Sequence, residues 1–514
     1  MRDETRLRRI VIVGGGFGGL GLAIRLKRLG IESFTILEKA DRLGGTWREN
    51  TYPGAACDVP SILYSFSFEP KSDWSRLWSP QAEIREYMED CTRRNDVLRH
   101  VRFGVEVTGA RFVERAGTWT VRTAAGESIE ADVLVCAVGQ LHHPSVPSLP
   151  GLETFQGQWF HSARWNHDCD LRGKRVAVVG NAASAIQFIP EIAKRTAWLG
   201  VFQRSANWMV PRLDRAYTPR EHWALAHVPG LRRSLRAFAW LSLELWLYPL
   251  MRQVRRLQRL HARASTRYME SVVSDPRLRT ALTPDYPIGG KRILLTDGYY
   301  ETLQRDDVAL LTAPIERLEA DAVVTGDGRR HPADVVILAT GFRTNPFLAS
   351  LTIEGRGGRV LAKDWADGAH AYYGLTVSGY PNFFMLYGPN TNLGHNSIIF
   401  MLECQMRYVL SAVRRLEEDD LLFLDLKPEV MRRFNERLQV VLRDSAWAAA
   451  GPSWYKDASG RITNNWPWST LWYWWCTRAL AAADYDAVGR AAAEMVGVVR
   501  ETPVAVRTPA AASA

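Results

Sequence analysis

The sequence predicts an α/β protein in which one strand–glycine turn–helix unit occurs twice, the second copy nested inside the first. Two glycine turns predict this fold, because Gly14 and Gly180 each follow a short buried-strand pattern and precede an apolar helix pattern. A third observation is a pair of apolar strands at 131–139 and 333–341, each headed by Ala-Asp and ending in glycine. We expect each of these strands to close one parallel sheet whose strands are joined through helices.

Length and composition limit the class of protein and the number of domains. The chain has 514 residues, of which 46% are apolar and 23% are charged. These values exclude global disorder, a collagen-like fibre and a small disulfide scaffold, and about 150 residues per domain predicts two to four domains. The six cysteines are scattered without a CxxC pair or zinc spacing, so no metal site is predicted and a reduced, cytoplasmic protein is expected.

The first unit has the pattern of a dinucleotide-binding, or Rossmann-like, fold. A strand at 9–13 is followed by the turn, a helix at 20–29 and a second strand that ends at Glu38. The turn has the spacing G-x-G-x-x-G through Gly14, Gly16 and Gly19. These glycines allow a tight turn, the approach of a pyrophosphate and the packing of helix on strand, while the helix N-terminus faces the phosphates. Glu38 is expected to accept a hydrogen bond from a ribose 2′-hydroxyl.

The second unit repeats this pattern with two changes. Its turn residues are Gly180, Ala182 and Ser184, and the alanine methyl group is expected to crowd the approach of the pyrophosphate. Arg204 and Ser205 stand where the first unit has its acid, 24 positions after the first glycine in both units. Because an arginine pairs with a 2′-phosphate, the second site is predicted to prefer NADPH over NADH.

Two dinucleotide folds in one chain predict two redox cofactors that exchange electrons. The first domain is expected to be discontinuous, with residues 1–145 joined to 342–500. The nested NADPH-binding domain is expected at 170–340 with a helical insertion at about 215–285, and the Ala-, Pro- and Thr-rich tail at 501–514 is expected to be disordered.

Two longer motifs carry a family resemblance. The first is F-x-G-x-x-x-H-x-x-x-W, with Phe155, Gly157, His161 and Trp165. The second is G-x-W-x-x-x-x-Y-P-G-x-x-x-D, which runs from Gly45 to Asp58. Both resemble motifs of the type I Baeyer–Villiger monooxygenases, and the resemblance extends from residue 8 to about 475. A departure is Asn166, where that family normally has Pro or Asp.

The resemblance implies an FAD-containing, NADPH- and oxygen-dependent enzyme. In that family NADPH reduces the flavin, oxygen adds to it as a flavin peroxide, and the peroxide converts a ketone to an ester or lactone. The substrate would be a ketone, expected to be bulky and apolar, together with molecular oxygen. The flavin contacts beyond the first glycine turn would be Gly45, Thr46, Trp47, Asp58, Tyr64 and Asn390.

The resemblance also implies roles for individual residues. Arg292 would be the catalytic cation at the peroxide, because a guanidinium stays charged and donates to oxygen anions. Asp58 would orient Arg292, and Lys291 would join Arg204 and Ser205 on the 2′-phosphate. His161 would be a linker residue that couples domain movement rather than a general base.

Two regions rich in apolar or aromatic residues each allow two structural interpretations. The helix that begins at Ile398 would lie under the flavin ring, where its dipole favours a reduced flavin anion, or would be an ordinary capped helix. Seven of the 19 tryptophans fall between 447 and 475, either as a dry wall for a bulky ketone or as core packing.

The net charge of +10 is concentrated in residues 231–267, which hold nine arginines and one acid, Glu244. The remainder is near neutral, so nucleic-acid binding is not predicted. The apolar stretch at 237–250 is too short to span a bilayer. It is either an interfacial helix that meets anionic lipid or, the favoured interpretation, a helical insertion with its apolar face on the substrate cavity and its arginines in solvent.

Other functions compete with ketone oxidation. A sulfur- or amine-oxidising flavin monooxygenase is the first alternative, since the same peroxide is electrophilic once protonated. A disulfide reductase needs a cysteine pair beside the flavin, and Cys57 has no near partner in sequence. A flavin-binding scaffold without turnover is a further alternative. The sequence leaves the oligomeric state open.

Overall fold

The structure is a computed structural model that describes residues 8–451, 453–457 and 459–490. The predicted tail at 501–514 lies outside the described residues. The strands are β1 Ile10–Val13, β2 Phe34–Glu38, β3 Val101–Phe103, β4 Val107–Val113, β5 Thr118–Thr123, β6 Ser128–Ala131, β7 Val133–Cys136, β8 Gln158–His161, β9 Arg175–Val179, β10 Trp198–Phe202, β11 Met209–Pro211, β12 Leu294–Thr296, β13 Val308–Leu311, β14 Ile315–Glu319, β15 Ala322–Thr325, β16 Arg330–Pro332, β17 Val335–Leu338, β18 Thr352–Glu354, β19 Phe383–Met385, β20 Leu421–Leu426 and β21 Tyr485–Gly489. The α-helices are α1 Phe17–Arg28, α2 Thr46–Glu49, α3 Gln81–Arg94, α4 Ala183–Ile192, α5 Pro219–His227, α6 Leu231–Met251, α7 Arg255–Val272, α8 Pro276–Leu282, α9 Tyr299–Thr302, α10 Leu361–Asp364, α11 Ile398–Glu418, α12 Pro428–Arg443, α13 Ala446–Ala449 and α14 Thr470–Cys476.

The first parallel sheet has the strand order β19-β7-β1-β2-β3. Its central strand β1 is buried along its whole length, as its continuous apolar run predicts. The glycine turn leads directly into α1, where a Cβ added at Gly19 would overlap the carbonyl oxygen of Gly14. Only glycine therefore lets α1 pack this closely on the strand. The strand β19 comes from the C-terminal half of the chain, so two distant segments build this sheet.

The second parallel sheet has the order β13-β10-β9-β17-β8. The predicted strand at 175–179 and the predicted return strand at 333–341 lie side by side as β9 and β17. Strand β8, at 158–161, adds to the outer side of β17, so this sheet recruits residues that precede the expected start at 170. The α/β fold class with two Rossmann-like sheets is confirmed.

Three smaller sheets, which the sequence did not predict, lie beside the two parallel ones, and their strand pairs are antiparallel except that β18 runs parallel to β4. One has the order β18-β4-β5-β6, a second has the order β14-β15-β16, and β20 pairs with β21. Trp119 on β5 is fully buried, and its indole N–H donates to the carbonyl oxygen of Pro381 at 2.8 Å. This bond ties the first of these sheets to the loop that leads into β19.

Helices α5 to α8 occupy the region of the expected insertion at 215–285. The favoured expectation that the apolar face of 237–250 lies on the substrate cavity is wrong for α6. Phe238 and Leu245 are 69% and 62% exposed, whereas Glu244 is 8% exposed. The reason is that the Glu244 carboxylate is bound on the inner side by the amide and hydroxyl of Thr470, both at 2.7 Å, and by the Asn396 amide at 2.8 Å. Within the described residues, no helix is long and apolar enough to cross a membrane.

Candidate functional site

A single cavity of about 1120 Å³ connects the two glycine turns. It exceeds the range of about 300–1,000 Å³ that is common for one small-ligand pocket. Predicted residues on its wall are Gly14, Gly16, Glu38, Gly45, Thr46, Trp47, Asp58, Tyr64, Gly180, Ala182, Ser184, Arg204, Ser205, Lys291 and Arg292. These residues come from both parallel sheets, so the fold brings together most of the site that was predicted in separate parts of the sequence.

The starts of α1 and α4 both face this cavity. The residues that precede them, Gly16 and Ala182, have extended backbones and no polar side chain to cap the helix. The first N–H groups of each helix are therefore available to an anion, and the helix dipole favours negative charge there. Gly180 has φ +108°, and a Cβ there would press on the carbonyl oxygen of Ala339. Both turns thus keep the geometry that dinucleotide binding requires.

Glu38 lies at the end of β2, where its carboxylate is held on several sides. It accepts hydrogen bonds from the amides of Gly15 at 2.8 Å and Ala40 at 2.9 Å. Arg48 pairs with it at 3.0 Å. These bonds fix the carboxylate at the cavity wall, which is the position expected for an acid that accepts a hydrogen bond from a ribose hydroxyl.

The motif 45–58 begins beside the first turn. Gly45 has φ +50°, and its position next to Gly16 leaves only 3.3 Å between an added Cβ and the Cα of Gly16. The indole N–H of Trp47 donates to the hydroxyl of Tyr64 at 3.1 Å. This bond, with the edge-on contact of the two rings, forms an aromatic wall of the cavity.

The same motif then crosses to the second unit. The Tyr52 hydroxyl donates to the side-chain oxygen of Gln187 on α4 at 3.0 Å, and the Gln187 amide donates to the carbonyl oxygen of Ala56 at 3.0 Å. Gly54 packs against the carbonyl of Gln187 so closely that a Cβ would be only 2.5 Å away. The Tyr-Pro-Gly sequence therefore docks the loop on α4, and the loop delivers Asp58 to the cavity.

Arg292 and Asp58 form an ion pair at the cavity. The loop that carries Arg292 passes under α13, where a Cβ on Gly290 would lie 2.9 Å from the side chain of Ala450. The side chains of Arg292 and Asp58 are 38% and 29% exposed, and their exposed surface faces the cavity that both residues line. The charge of Asp58 raises the pKa of Arg292 further above its ordinary value and so keeps the guanidinium charged.

Two tyrosines, the partly buried Tyr387 and the buried Tyr455, interact electrostatically with this ion pair, and neither is among the predicted site residues. Both line the cavity, and Tyr455 falls inside the tryptophan-rich segment 447–475. Burial raises the pKa of Tyr455 to about 12, although the charge of Arg292 acts in the opposite direction. Burial also raises the pKa of Tyr387. Both hydroxyls therefore stay protonated, and that of Tyr387 donates to the side-chain oxygen of Asn392 at 2.7 Å.

A small basic cluster lies at the second turn. The Lys291 ammonium donates to the Ser205 hydroxyl at 3.0 Å and sits 4.5 Å from the centre of the Tyr286 ring. Burial and then the charge of Arg204 lower the pKa of Lys291, which places the two cations near each other. Their mutual repulsion is relieved when an anion binds between them. This arrangement suits a phosphate group.

Asn390 differs from the expectation. Its side-chain amide donates to the carbonyl oxygens of Ile462 at 2.9 Å and Asn465 at 3.2 Å, and the residue is 3% exposed. The structure therefore uses Asn390 to hold the loop rather than to line the cavity. Asn392, two positions on, lines the cavity instead. Helix α11 begins at Ile398 on the cavity wall, as expected.

The motif 155–165 lies apart from the cavity wall. Phe155 is buried, and a Cβ at Gly157 would overlap both its ring and the carbonyl oxygen of Asp334. The Trp165 ring lies 5.2 Å from the ring of Phe188 on α4. This motif therefore packs the edge of the second sheet.

His161 is 4% exposed, and its Nδ1 accepts a hydrogen bond from the amide of Ala163 at 3.1 Å. Burial lowers the pKa of His161 to about 4. The imidazole is therefore neutral at neutral pH and poorly suited to act as a general base.

The tryptophans between 447 and 475 divide into three groups. Trp454 lines the cavity. Trp447 and Trp466 are fully buried core residues, and the partly buried Trp468 packs against the same core. On α14, by contrast, three tryptophans are exposed to solvent, namely Trp472, Trp474 and Trp475. Each of the two interpretations from the sequence thus holds for part of this segment, and the three tryptophans of α14 fit neither.

Comparison with known proteins agrees with this geometry. Residues 7–233 match the flavin-binding monooxygenase-like family. The chain is 40% identical over 489 residues to a Baeyer-Villiger monooxygenase of Streptomyces coelicolor, covering 95% of this chain and 94% of that protein. It is 41% identical to a Baeyer-Villiger monooxygenase of Pseudomonas aeruginosa, with 93% and 91% covered.

Solved structures give the same result. The structure of an oxidized steroid monooxygenase bound to NADP matches with a TM-score of 0.84 and 31% identity, covering 94% of this chain and 99% of that one. Cyclohexanone monooxygenase from Rhodococcus sp. Phi1 bound to NADP+ matches with a TM-score of 0.84 and 27% identity, with the same coverage. The two glycine turns, the shared cavity and these full-length similarities together show that the chain belongs to the Baeyer–Villiger monooxygenase family of flavin-binding monooxygenases.

Proposed function

We propose that this protein converts a ketone to an ester or lactone with FAD, NADPH and molecular oxygen. The balanced reaction consumes one ketone, one O₂, one NADPH and one proton, and it yields the ester, water and NADP+. The observation that carries the proposal is the Arg292–Asp58 ion pair on the wall of a cavity shared by two dinucleotide turns. When bound and reduced by NADPH, the flavin supplies the electrons that activate oxygen.

The residues at each glycine turn indicate which of the two cofactors that turn would bind. The first turn, Glu38 and the motif 45–58 would hold FAD, because Glu38 offers a carboxylate to a ribose hydroxyl and would repel a 2′-phosphate. The second turn would hold NADPH, because Lys291 and Arg204 supply positive charge where the 2′-phosphate is expected. This assignment supports a first domain of 1–145 with 342–500 and a nested domain of 170–340, and we propose that the nested domain also includes β8, which pairs with β17.

Arg292 is proposed as the catalytic cation. Negative charge that develops on oxygen during the insertion would be stabilised by a fixed guanidinium. Asp58 holds the guanidinium in one orientation and is the positioning residue. His161 is proposed to act as a linker at the edge of the second sheet, since its low pKa removes it from proton transfer.

The substrate is proposed to be a bulky, apolar ketone. The wall of the cavity that contains the ion pair also includes Leu393, Ile398, Leu402 and Trp454. Apolar side chains with a few polar groups are typical of small-molecule sites.

A cytoplasmic location also remains a prediction.

The function is tested by following NADPH oxidation by the flavin-loaded protein with a panel of apolar ketones, with a sulfide and without substrate. Products are identified by mass spectrometry. We expect an ester or lactone in proportion to the NADPH consumed. Oxidation of the sulfide alone would instead establish heteroatom oxygenation, and a yellow protein that fails to oxidise NADPH would establish a scaffold.

The first glycine turn offers a matched pair of substitutions. Gly16→Ala places a methyl group where its nearest neighbour is the Cα of Gly45 at 3.9 Å, so the empty protein accommodates it. We expect weaker FAD binding with an unchanged melting temperature of the apoprotein. Gly19→Ala forces a backbone overlap with Gly14, and we expect a loss of about 1–3 kcal/mol of stability.

The two variants are compared by calorimetry of the apoproteins and by flavin titration. Equal melting temperatures for Gly19→Ala and the parent would contradict the packing role of Gly19. Unchanged FAD affinity of Gly16→Ala would contradict the assignment of the first turn to FAD.

A further inference from the structure

The outer surface of the hairpin formed by α6 and α7 is not explained by the oxygenation reaction. This hairpin lies within residues 231–272, and none of its described residues lines the cavity. Its two helices combine exposed apolar side chains with exposed arginines.

The exposed apolar side chains of α6 form one stripe. Leu235, Phe238, Leu241, Leu245 and Trp246 are 40%, 69%, 45%, 62% and 55% exposed. The first four are spaced by three or four positions, which puts them on one side of a helix, and Trp246 widens this side next to Leu245. The stripe stays exposed because the opposite side of α6, with Glu244, is the side anchored to the protein.

The arginines of α7 form a second stripe. Arg256, Arg259, Arg263 and Arg267 recur every three or four positions, and all are exposed. Within the described residues, none of these four forms an ion pair with an acid. Residues 231–272 hold nine arginines and two acids, Glu244, which is buried on the inner side, and the exposed Glu270. The hairpin therefore presents a strongly cationic surface.

More positive charge lies at the start of α6. There a cleft of about 600 Å³ is lined by Arg232, Arg233 and Arg236 together with Arg28 and Lys71. Some of these cations already have partners, since Arg28 pairs with Glu69. The cleft nevertheless has the size and charge to accept an anionic headgroup.

A second exposed aromatic segment adjoins α6. The first residue of α14, Thr470, is hydrogen-bonded to Trp240 and Glu244 on the inner side of α6. Directly after it, Trp472 and Trp475 are 42% and 52% exposed. The guanidinium of Arg478 lies 4.0 Å from the centre of the Trp475 ring. Tryptophan and arginine together are typical of the boundary between headgroups and acyl chains.

We propose that this surface, formed by α6, α7 and α14, docks the protein peripherally on an anionic lipid bilayer. The apolar stripe enters the boundary of the acyl chains, and the arginines bind the phosphates of the headgroups. Charge decides between a bilayer and a second copy of the chain. Two copies that met through this surface would bring like-charged arginines together, whereas an anionic bilayer supplies the missing negative charge.

The test is flotation of the full-length, flavin-loaded protein with vesicles. One set contains phosphatidylcholine alone, and the other contains phosphatidylcholine with phosphatidylglycerol. We expect the protein to float with the anionic vesicles, at least about tenfold less with the neutral ones, and less as salt is raised, because exposed charges are screened.

Two sets of variants separate the apolar and ionic contributions. Phe238→Ser with Leu245→Ser and Trp246→Ser is expected to lower vesicle binding at least about tenfold. Replacing the four arginines of α7 by glutamine is expected to remove the preference for anionic vesicles. Flavin absorbance and melting temperature check that each variant is folded.

Control variants alter the same number of exposed residues elsewhere on the surface. The apolar control replaces Leu29, Leu98 and Val440, which are 40%, 45% and 52% exposed, by serine. The charge control replaces four exposed arginines by glutamine, namely Arg93, Arg195, Arg414 and Arg433. Both controls are expected to float as the parent does.

The proposal is overturned if the parent does not float with anionic vesicles, or if the variants of the hairpin float as well as the controls. It is also overturned if light scattering shows a dimer that the serine variant splits while no vesicle binding occurs. Each result is independent of which substrate the enzyme oxidises, because flotation requires no turnover.

Discussion

Replacing Arg292 by alanine is expected to abolish ester formation while NADPH oxidation continues and hydrogen peroxide is released. Loss of a preorganised group that stabilises developing negative charge costs about 10²–10³ in rate. The cation contributes after NADPH has delivered its electrons, so flavin reduction should persist. The measurement compares the ester formed with the NADPH consumed and the peroxide detected.

The ion pair offers its own controls for this prediction. Arg292→Lys keeps the charge but loses the planar fork, so we expect partial recovery of ester. Asp58→Ala removes the partner that orients Arg292. If Asp58 acts through Arg292, then the double variant should be little worse than Arg292→Ala alone. Ester formed by Arg292→Ala at the parent's rate would contradict the assignment, as would additive effects of the two substitutions.

Lys291→Met is expected to raise the KM for NADPH by about 10–100-fold and to change the KM for NADH little. A charge-assisted contact with a phosphate contributes about 1.5–3 kcal/mol, and each 1.4 kcal/mol is tenfold in affinity. Because NADH lacks the 2′-phosphate, the preference for NADPH should collapse. Arg204→Gln should act in the same direction, with less effect because its side chain is more exposed.

Steady-state kinetics with both nicotinamide cofactors check this prediction. The control is Lys194→Met, which removes an exposed lysine that pairs with Glu191 on the adjacent helix. Its preference for NADPH should equal that of the parent. An equal rise in KM for NADPH and NADH in Lys291→Met would show that the lysine has a general rather than a phosphate-specific role.

The parts of the fold that follow from local rules were predictable. The turn at Gly14 needs a residue without a side chain, and β1 is a continuous apolar run, so both are visible in the sequence. The same holds for Gly180 and β9. The smaller sheets were missed because their strands are short, and because some of them pair with distant segments, as β18 does with β4 and β20 does with β21.

Predictability was lower for individual site residues. Asp58 and Arg292 were suggested through the resemblance of their motifs, and the structure brings them into contact. The prediction that Asn390 contacts the flavin is wrong, because a sequence motif does not show which way a side chain points. Its side-chain amide donates instead to the carbonyl oxygens of Ile462 and Asn465. The sequence does not show that Tyr455 meets Arg292, because the two residues come from distant parts of the chain.

The sequence by itself determined the two nucleotide-binding turns, their order and the opposite charge at their ends, since each rests on sterics and spacing within some two dozen residues. Only the tertiary structure decided that one cavity serves both turns and that the apolar stripe of α6 faces outward. The physical reason is that one face of a helix is buried only if something covers it. On α6 the anchored face is the one with Glu244, because Thr470 and Asn396 supply its hydrogen bonds there.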